Sequence, residues 1–285
     1  MTNTLDLVEA ELQHVEGANG VSYAYRRFGR VGEGVPLVFL QHFRGDIDNW
    51  DPALVSPIGA ERDVILFDNA GIGSTSGTVP STVEEMAQDA IAFIEALGLA
   101  QVDLFGFSLG GFVAQAAVLS RPSLVRRLIL AGTGAKGAAG MGAWLEDVAD
   151  RLVVKAEPGG EDLLYVFYAH TGSSQGAGQA SLGRIFQRQE GRDTGVSLEA
   201  KDAQYEAILA WGEPDARVAE RLANVAQPTL ILQGDNDIMI PTAASHTLAE
   251  LIPDARITIY PDASHGSIFQ YATEAAAETV VFLAE

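Results

Sequence analysis

The chain has 285 residues, of which 47% are hydrophobic and 20% charged, a composition typical of a globular protein with a full core. Its 38 acidic and 18 basic residues give a formal net charge of −20, which argues against nucleic acid, anionic membrane surfaces and polyanionic substrates as partners.

The chain contains no cysteine, which excludes disulfides, thiol nucleophiles and cysteine-ligated metals. No HExxH, paired-carboxylate or Walker-type motif is present, so we expect neither a metal nor another cofactor. The first six residues lack the basic and apolar regions of a secretory signal, and no apolar run approaches the roughly 18 residues that span a bilayer. We therefore expect a cytoplasmic protein outside the membrane, and the residues leave open whether it forms a homodimer.

Short apolar runs alternate with helical patterns along most of the chain. The predicted strands are residues 21–29, 36–41, 63–68, 102–107, 124–131, 228–233 and 257–260. Predicted helices follow at 81–97, where Ser81 and Glu84 form an S-x-x-E capping box, and at 112–119, 243–251 and 267–283. Strands that alternate with helices predict an α/β fold with a mostly parallel sheet and helices on both faces.

The alternation stops after residue 131. Residues 132–142 are rich in glycine and alanine, which is typical of a hinge or linker. The following residues, up to about 222, are predicted to be helical or irregular, with a small-residue loop at 172–183. We therefore predict an α/β core, residues 1–133 and 223–285, interrupted by a helical cap insertion, residues 134–222.

A G-x-S-x-G motif, residues 106–110, lies between the predicted strand 102–107 and the helix that follows it. Strand, motif and helix in this order are the context of a nucleophile elbow, a sharp turn that lifts the serine above the sheet. Glycine suits such a turn because a Cβ would clash with its neighbours. Ser108 is the predicted nucleophile.

A serine hydroxyl needs a base, and His265 is the best placed of the five histidines. It follows the last predicted strand, so it lies at the carboxyl edge of the sheet, as Ser108 does. The loop after strand 228–233 offers two aspartates that can orient the imidazole. Asp237 is preferred because it stands farther along the loop, and Asp235 remains the alternative.

At this point the chain resembles the α/β-hydrolase family. Ser108, Asp237 and His265 occur in the family's order of nucleophile, acid and base, and residues 67–74, FDNAGIGS, resemble its D-x-x-G-x-G-x-S loop. The resemblance extends from about residue 21 to 281, with the insertion in the place of the family's cap. It is strongest to small bacterial esterases, lactonases and perhydrolase-type enzymes.

The resemblance also implies two donors for an oxyanion, the backbone N–H groups of Leu109 and Phe43. Where family members often read HGFPG after the strand, this chain reads QHFRG, so His42 replaces a glycine. The His42 imidazole then lies either close to the oxyanion or below the loop as a hydrogen-bonded support. Arg44 either meets a substrate carbonyl or carboxylate, or is neutralised by a nearby aspartate, Asp46 or Asp48.

The predicted cap is rich in aromatic residues, and only two or three of them are expected to touch a substrate. The candidates are Trp144, Tyr165, Phe167, Tyr168, Phe186, Tyr205 and Trp211, together with Leu145. Of these, we predict that Trp144 and Tyr168 bind the substrate. Such a lining favours a small apolar ester or lactone over a sugar or phosphate.

These residues predict a serine hydrolase that cleaves a carboxylic ester or lactone through an acyl-enzyme on Ser108. Two alternatives remain open. The same triad also serves carbon–carbon bond hydrolysis, hydroxynitrile lyase and perhydrolase chemistry, because the cap sets the substrate. A ligand-binding receptor that retains the fold without catalysis is the alternative from another class.

Overall fold

An eight-stranded sheet lies at the centre of the computed structural model, which describes residues 6–141 and 144–285. The strands are β1 Gln13–Glu16, β2 Ser22–Gly29, β3 Leu37–Leu40, β4 Asp63–Phe67, β5 Val102–Phe107, β6 Val125–Ala131, β7 Thr229–Gly234 and β8 Ala255–Tyr260. Two sequence predictions fall partly outside the described residues. The predicted linker ends at Gly142, and the stretch expected to lack a secretory signal includes the first five residues.

The strand order is β1-β2-β4-β3-β5-β6-β7-β8. Strand β2 runs antiparallel to β1 and β4, and the remaining neighbours are parallel. Every residue of β3, β4, β5 and β7 is buried, as expected for strands covered on both faces. The predicted α/β fold is confirmed, and the loops after β3, β5, β7 and β8 meet at one edge of the sheet.

Helices cover the sheet and fill the connection between β6 and β7. They are α1 Pro52–Gly59, α2 Val83–Ala96, α3 Leu109–Ser120, α4 Glu146–Ala149, α5 Gly160–Phe167, α6 Gly172–Ile185, α7 Leu198–Gly212, α8 Val218–Leu222, α9 Thr242–Leu251, α10 Ser267–Gln270 and α11 Ala272–Ala284. A π-helical turn, Asp150–Val154, follows α4. Among the described residues, no helix combines the length and the apolarity needed to cross a bilayer.

The loop predicted at 172–183 is wrong, because these residues form helix α6. Thr171 caps its first turn by accepting a hydrogen bond from the Ser174 N–H, 3.2 Å. Small residues are needed because the helix packs closely: a Cβ on Gly178 would lie 2.7 Å from Leu164 and Tyr168. Tertiary packing therefore overrides the low helix propensity of this glycine-rich sequence.

One further prediction differs from the structure, and one strand was missed. The N-cap of α2 is Thr82 rather than Ser81, and its hydroxyl accepts the Glu85 N–H at 3.2 Å. The sequence contains two overlapping capping frames, and the one that buries Val83 at the first helical position is used. The edge strand β1 was not predicted, because its four residues are mostly exposed and show no apolar pattern.

Residues 134–222, called here the inserted segment, connect β6 to β7 through α4–α8. The segment is bound to the strand-bearing remainder of the chain by hydrogen bonds to a buried carboxylate. Asp51, the N-cap of α1, accepts hydrogen bonds from Arg184 at 2.6 and 2.8 Å and from Ser181 at 2.7 Å, both in α6. A carboxylate removed from water needs such partners, so these contacts hold the segment over the sheet edge.

Candidate active site

Ser108 forms the turn between β5 and α3 with φ 56° and ψ −119°. A non-glycine residue at positive φ costs on the order of 1–3 kcal/mol and persists only where its surroundings enforce it. They do so here: a Cβ on Gly106 would lie 2.4 Å from Gly110 O, and one on Gly110 would lie 2.0 Å from Leu40 O. The glycines therefore let α3 start directly against the ends of β5 and β3.

Ser108, His265 and Asp237 form a continuous hydrogen-bonded chain. Ser108 Oγ lies 2.8 Å from His265 Nε2, and His265 Nδ1 lies 2.8 Å from Asp237 Oδ2. Because a carboxylate only accepts, Nδ1 carries the proton and donates it, which leaves Nε2 as an acceptor for the Ser108 hydroxyl. All three residues are buried, so the chain is shielded from competing water.

The loop after β7 orients the Asp237 carboxylate. Oδ1 accepts the N–H groups of Met239 and Ile240 at 2.8 and 2.9 Å, and Gln233 Nε2 donates to Oδ2 at 3.2 Å. The alternative acid, Asp235, is exposed and instead accepts the Ala263 N–H at 3.2 Å. The structure thus brings Asp237, and not Asp235, to His265.

The loop after β3 is held in shape by Gln41, which stands in the place of the family's usual histidine. Gln41 Nε2 donates to Asp46 O at 2.7 Å, and its Oε1 accepts the His42 N–H at 2.9 Å. Within residues 6–141 and 144–285, the N–H groups of Phe43 and Leu109 donate to no acceptor. Both amides therefore keep an unused hydrogen-bond donor within the described residues.

His42 takes the position of a hydrogen-bonded support. Its Nδ1 donates to Phe43 O at 2.8 Å, and its ring meets Phe107 and Phe167 edge-on, with centroids 5.3 Å away in both cases. Burial lowers the pKa of His42 to about 4 and outweighs the opposing effect of the Phe43 hydrogen bond. The imidazole is therefore neutral at pH 7.

Arg44 is held by the inserted segment rather than by Asp46 or Asp48. Its guanidinium donates to the carbonyls of Leu152, Lys155 and Ala156 at 3.1, 2.9 and 2.5 Å. Neither expected aspartate pairs with it. Arg44 therefore braces a loop against the inserted segment, an arrangement that charge counting along the sequence did not predict.

A cavity of about 270 Å³ opens on Ser108 and His265. Its wall comes from the β3 loop, the inserted segment and the loops after β7 and β8, and includes His42, Phe43, Arg44, Leu152, Phe167, Tyr168, Leu182, Ile185, Phe186, Met239 and Phe269. Its lining is mostly apolar, so it suits a small apolar ligand.

Three of the predicted aromatic residues reach this wall, namely Phe167, Tyr168 and Phe186. Trp144 is placed behind it, with its ring 5.3 Å from Phe43 and 5.4 Å from Tyr205.

Sequence reasoning missed several wall residues. Met239 and Phe269 lie two and four positions after Asp237 and His265, and that proximity along the chain was a usable signal. Leu182 and Ile185 had no such signal, because their helix, α6, was predicted as a loop. Their place in the wall depends on the docking of α6 onto the core.

Known protein families and solved structures similar to this chain share one fold description, the α/β-hydrolase fold. A family model described as alpha/beta hydrolase fold matches residues 35–271. A protein named "Putative carbamate hydrolase" from Azorhizobium caulinodans is 27% identical over 227 residues, 79% of this chain and 82% of that protein.

Among solved structures, an alpha/beta hydrolase fold protein from Chitinophaga pinensis is 36% identical with a TM-score of 0.89, and the match covers 98% of this chain and 99% of that one. A thermophilic esterase from Thermogutta terrifontis is similar in fold, with 22% identity, a TM-score of 0.72 and coverage of 96% and 98%.

Proposed function

We propose that this chain is a serine hydrolase that cleaves a carboxylic ester or lactone. The premise is that the chain belongs to the α/β-hydrolase fold family. One observation supports this proposal above the others: the hydrogen-bonded chain from Ser108 Oγ through His265 to Asp237, buried beside an apolar cavity. A hydroxyl, a base and an orienting acid in this order are the parts that acyl transfer requires.

In the proposed reaction, His265 Nε2 takes the Ser108 proton while Oγ attacks the substrate carbonyl carbon. The tetrahedral intermediate places its negative oxygen at the N–H groups of Phe43 and Leu109. His265 then gives its proton to the departing alkoxide, which leaves an ester on Ser108. Water attacks that ester by the same steps in reverse, releasing the acid and restoring the hydroxyl. Asp237 holds the imidazole and stabilises its cation throughout.

We further propose that residues 1–133 and 223–285 act as the catalytic core and residues 134–222 as a cap. The support is the composition of the cavity wall, in which core residues carry the reacting groups and inserted residues supply most of the apolar surface. The cap is therefore expected to decide which acyl groups enter. At about 270 Å³, the cavity lies near the lower end of ligand pockets and favours short acyl chains.

Removal of the Ser108 hydroxyl tests the mechanism. Ser108→Ala is expected to lower kcat for p-nitrophenyl butyrate by roughly 10⁴-fold or more, because nothing else nearby can form the acyl-enzyme. Ser120→Ala, at the exposed far end of the same helix, is the matched control and should stay within about twofold of the wild type. Retention of most activity in Ser108→Ala contradicts the mechanism.

Covalent labelling separates an enzyme from a receptor on the same fold. A p-nitrophenyl phosphonate should form one adduct per chain, located on Ser108 by peptide mass spectrometry. A protein that binds the probe reversibly, without an adduct, would support the receptor alternative.

A substrate panel then tests the ester or lactone assignment. It compares p-nitrophenyl esters from acetate to octanoate, simple and N-acyl homoserine lactones, and a phenyl carbamate. The carbamate is included because a 27% identical relative carries that name. Fastest Ser108-dependent turnover of a short ester or lactone is expected, and turnover of the carbamate alone would overturn the assignment.

A further inference from the structure

The loop that carries Phe43 is attached to the inserted segment as well as to the core. On the core side, Gln41 and His42 hydrogen-bond within the loop and fix its first half. On the other side, the Phe43 ring packs against Trp144 and Tyr205 of the inserted segment, at centroid distances of 5.3 and 6.2 Å. The peptide with the free N–H therefore lies between two anchors that belong to different parts of the chain.

Arg44 makes several hydrogen bonds from this loop to the inserted segment. Its backbone N–H donates to Gln204 Oε1 in α7 at 2.9 Å, and its guanidinium donates to three carbonyls between residues 152 and 156. Four hydrogen bonds from one residue to two separate elements make a rigid connection, because the planar guanidinium fixes several directions at once.

The Arg44 backbone has φ 61°, in the left-handed region that residues with a Cβ rarely adopt. Such a conformation persists only when the surroundings enforce it. The partners of the Arg44 N–H and side chain come from the inserted segment, so that segment stabilises the turn directly after Phe43. If the turn relaxed, the Phe43 peptide would rotate away from its present direction.

We propose that the inserted segment completes the oxyanion hole, with Arg44 as the positioning residue that aims the Phe43 N–H at the reacting carbonyl. The inference rests on the proposed function. It means that docking of the inserted segment does more than select the substrate, because an undocked segment leaves the nucleophile intact and the oxyanion donor misplaced. Leu152, whose carbonyl Arg44 binds, also lines the cavity, so closure of the cavity and assembly of the donor are coupled.

Kinetics of Arg44→Ala in the full chain test the proposal. With p-nitrophenyl butyrate, kcat is expected to fall by roughly 10²-fold while KM changes less than threefold, because the loss of one well-placed oxyanion donor acts on the transition state. Affinity for a trifluoromethyl ketone, which forms an oxyanion on the serine, should weaken by a similar factor. Affinity for butyrate, which mimics the ground state, should change little. The kcat of Arg44→Lys should lie between those of the wild type and Arg44→Ala, because a single ammonium group replaces only part of the guanidinium's hydrogen bonds.

Arg184→Ala is the matched control. It removes an arginine that also joins the inserted segment to the core, but through α6 and Asp51. The Arg44 contacts to α7 and to residues 152–156 remain in this variant, so the Phe43 loop stays attached. Its kcat should stay within about twofold of the wild type. An equal loss of kcat in Arg184→Ala and Arg44→Ala would overturn the proposal in favour of general loosening of the segment.

Further outcomes separate the proposal from the function on which it rests. A raised KM with unchanged kcat in Arg44→Ala would make Arg44 a wall residue only. If Arg44→Ala fails to fold, Gln204→Met removes the acceptor of the Arg44 N–H at similar volume and should lower kcat in the same way; unchanged kcat there overturns the proposal. Activity that survives Ser108→Ala refutes the proposed function itself, whereas Ser108-dependent activity insensitive to Arg44 refutes this inference alone.

Discussion

Each oxygen of the Asp237 carboxylate has its own hydrogen-bond partners, so the effect of replacing this residue can be predicted. Oδ1 accepts two backbone N–H groups and Oδ2 faces His265. In Asp237→Asn, the amide oxygen has to take the Oδ1 position, since an NH₂ group cannot accept those hydrogen bonds. The amide nitrogen then faces His265 Nδ1 as a donor, which moves the imidazole proton to Nε2.

A histidine protonated at Nε2 cannot accept the Ser108 proton, so Asp237→Asn is expected to lower kcat by roughly 10⁴-fold. The new NH₂ group also faces the Gln233 Nε2 donor, so a lower melting temperature is expected as well. Steady-state hydrolysis of p-nitrophenyl butyrate and a thermal melt measure the two quantities. Asp235→Asn is the control and should remain within twofold, because that side chain serves its own loop. A large loss in Asp235→Asn with an active Asp237→Asn would exchange the roles of the two aspartates.

At the scale of elements, α6 shows how packing overrides local preference. Its sequence, GSSQGAGQASLGRI, contains four glycines, yet it forms 14 residues of helix. The Ser174–Gln270 hydrogen bond of 2.6 Å and the Asp51–Arg184 ion pair fix it to neighbouring elements. Thr171 caps its first turn and also donates to Asp262 Oδ2 at 2.8 Å. Interactions with partners far along the chain therefore compensate for the poor helix propensity of glycine.

Two glycines of α6 should respond oppositely to alanine. A Cβ on Gly176 meets nothing within 4 Å, so Gly176→Ala is expected to raise the free energy of unfolding by about 0.5–1 kcal/mol through helix propensity. Gly178→Ala would place its Cβ 2.7 Å from Leu164 and Tyr168 and should lower it by about 1–3 kcal/mol. Urea unfolding of both variants measures the difference, and two stabilised variants would show that Tyr168 moves freely.

At the scale of the whole molecule, the contact between core and inserted segment includes two facing carboxyl groups. Asp68, at the end of β4, and Asp193, in the inserted segment, each have an Oδ2 within 2.7 Å of the position a Gly73 Cβ would take. Burial, and then the neighbouring Asp193, raises the pKa of Asp68 well above its usual value. Burial alone would raise the pKa of Asp193, but hydrogen bonds from Asp68 and Ser74 outweigh burial and lower this pKa. Asp68 is therefore the protonated partner.

This pair predicts how stability depends on pH. Because the folded state keeps a proton on Asp68 that the unfolded chain releases, its stabilising contribution is complete at low pH and is lost as pH rises through the raised pKa. Asp68→Asn mimics the protonated form, with Oδ1 still accepting the Ile47 N–H. In urea unfolding, the variant should lie closest to the wild type near pH 4 and become progressively more stable than the wild type as pH rises. Parallel pH profiles of the two proteins would contradict this account.

Two further aspartates, Asp46 and Asp48, lie near the Asp68–Asp193 pair. Asp48 binds Arg26 at 3.3 Å and Arg188 at 3.7 Å, and burial, followed by repulsion from Asp48, raises the pKa of Asp46 to about 6. Titration of Asp46 also lowers stability as pH rises from about 4 to 6, because its folded pKa exceeds its unfolded value. Asp46 is present in both proteins, so the difference in stability between Asp68→Asn and the wild type, rather than either profile alone, reports on Asp68.

The sequence by itself determined the mostly parallel sheet apart from its edge strand β1. It also identified the serine and the histidine of the hydrogen-bonded chain and reduced the acid to two aspartates. Buried strands are continuous apolar runs, and the residues that follow them must gather at one sheet edge, so Ser108 and His265 could be identified from their positions. Asp237 was preferred over Asp235 from its place in the loop, and the structure decided between them. Only the tertiary structure decided that α6 is a helix, that Arg44 binds carbonyls instead of an aspartate, and that Asp68 faces Asp193. Each of these depends on contacts between residues about 100 or more positions apart, and no local pattern of propensity or charge encodes which distant partner a side chain will meet.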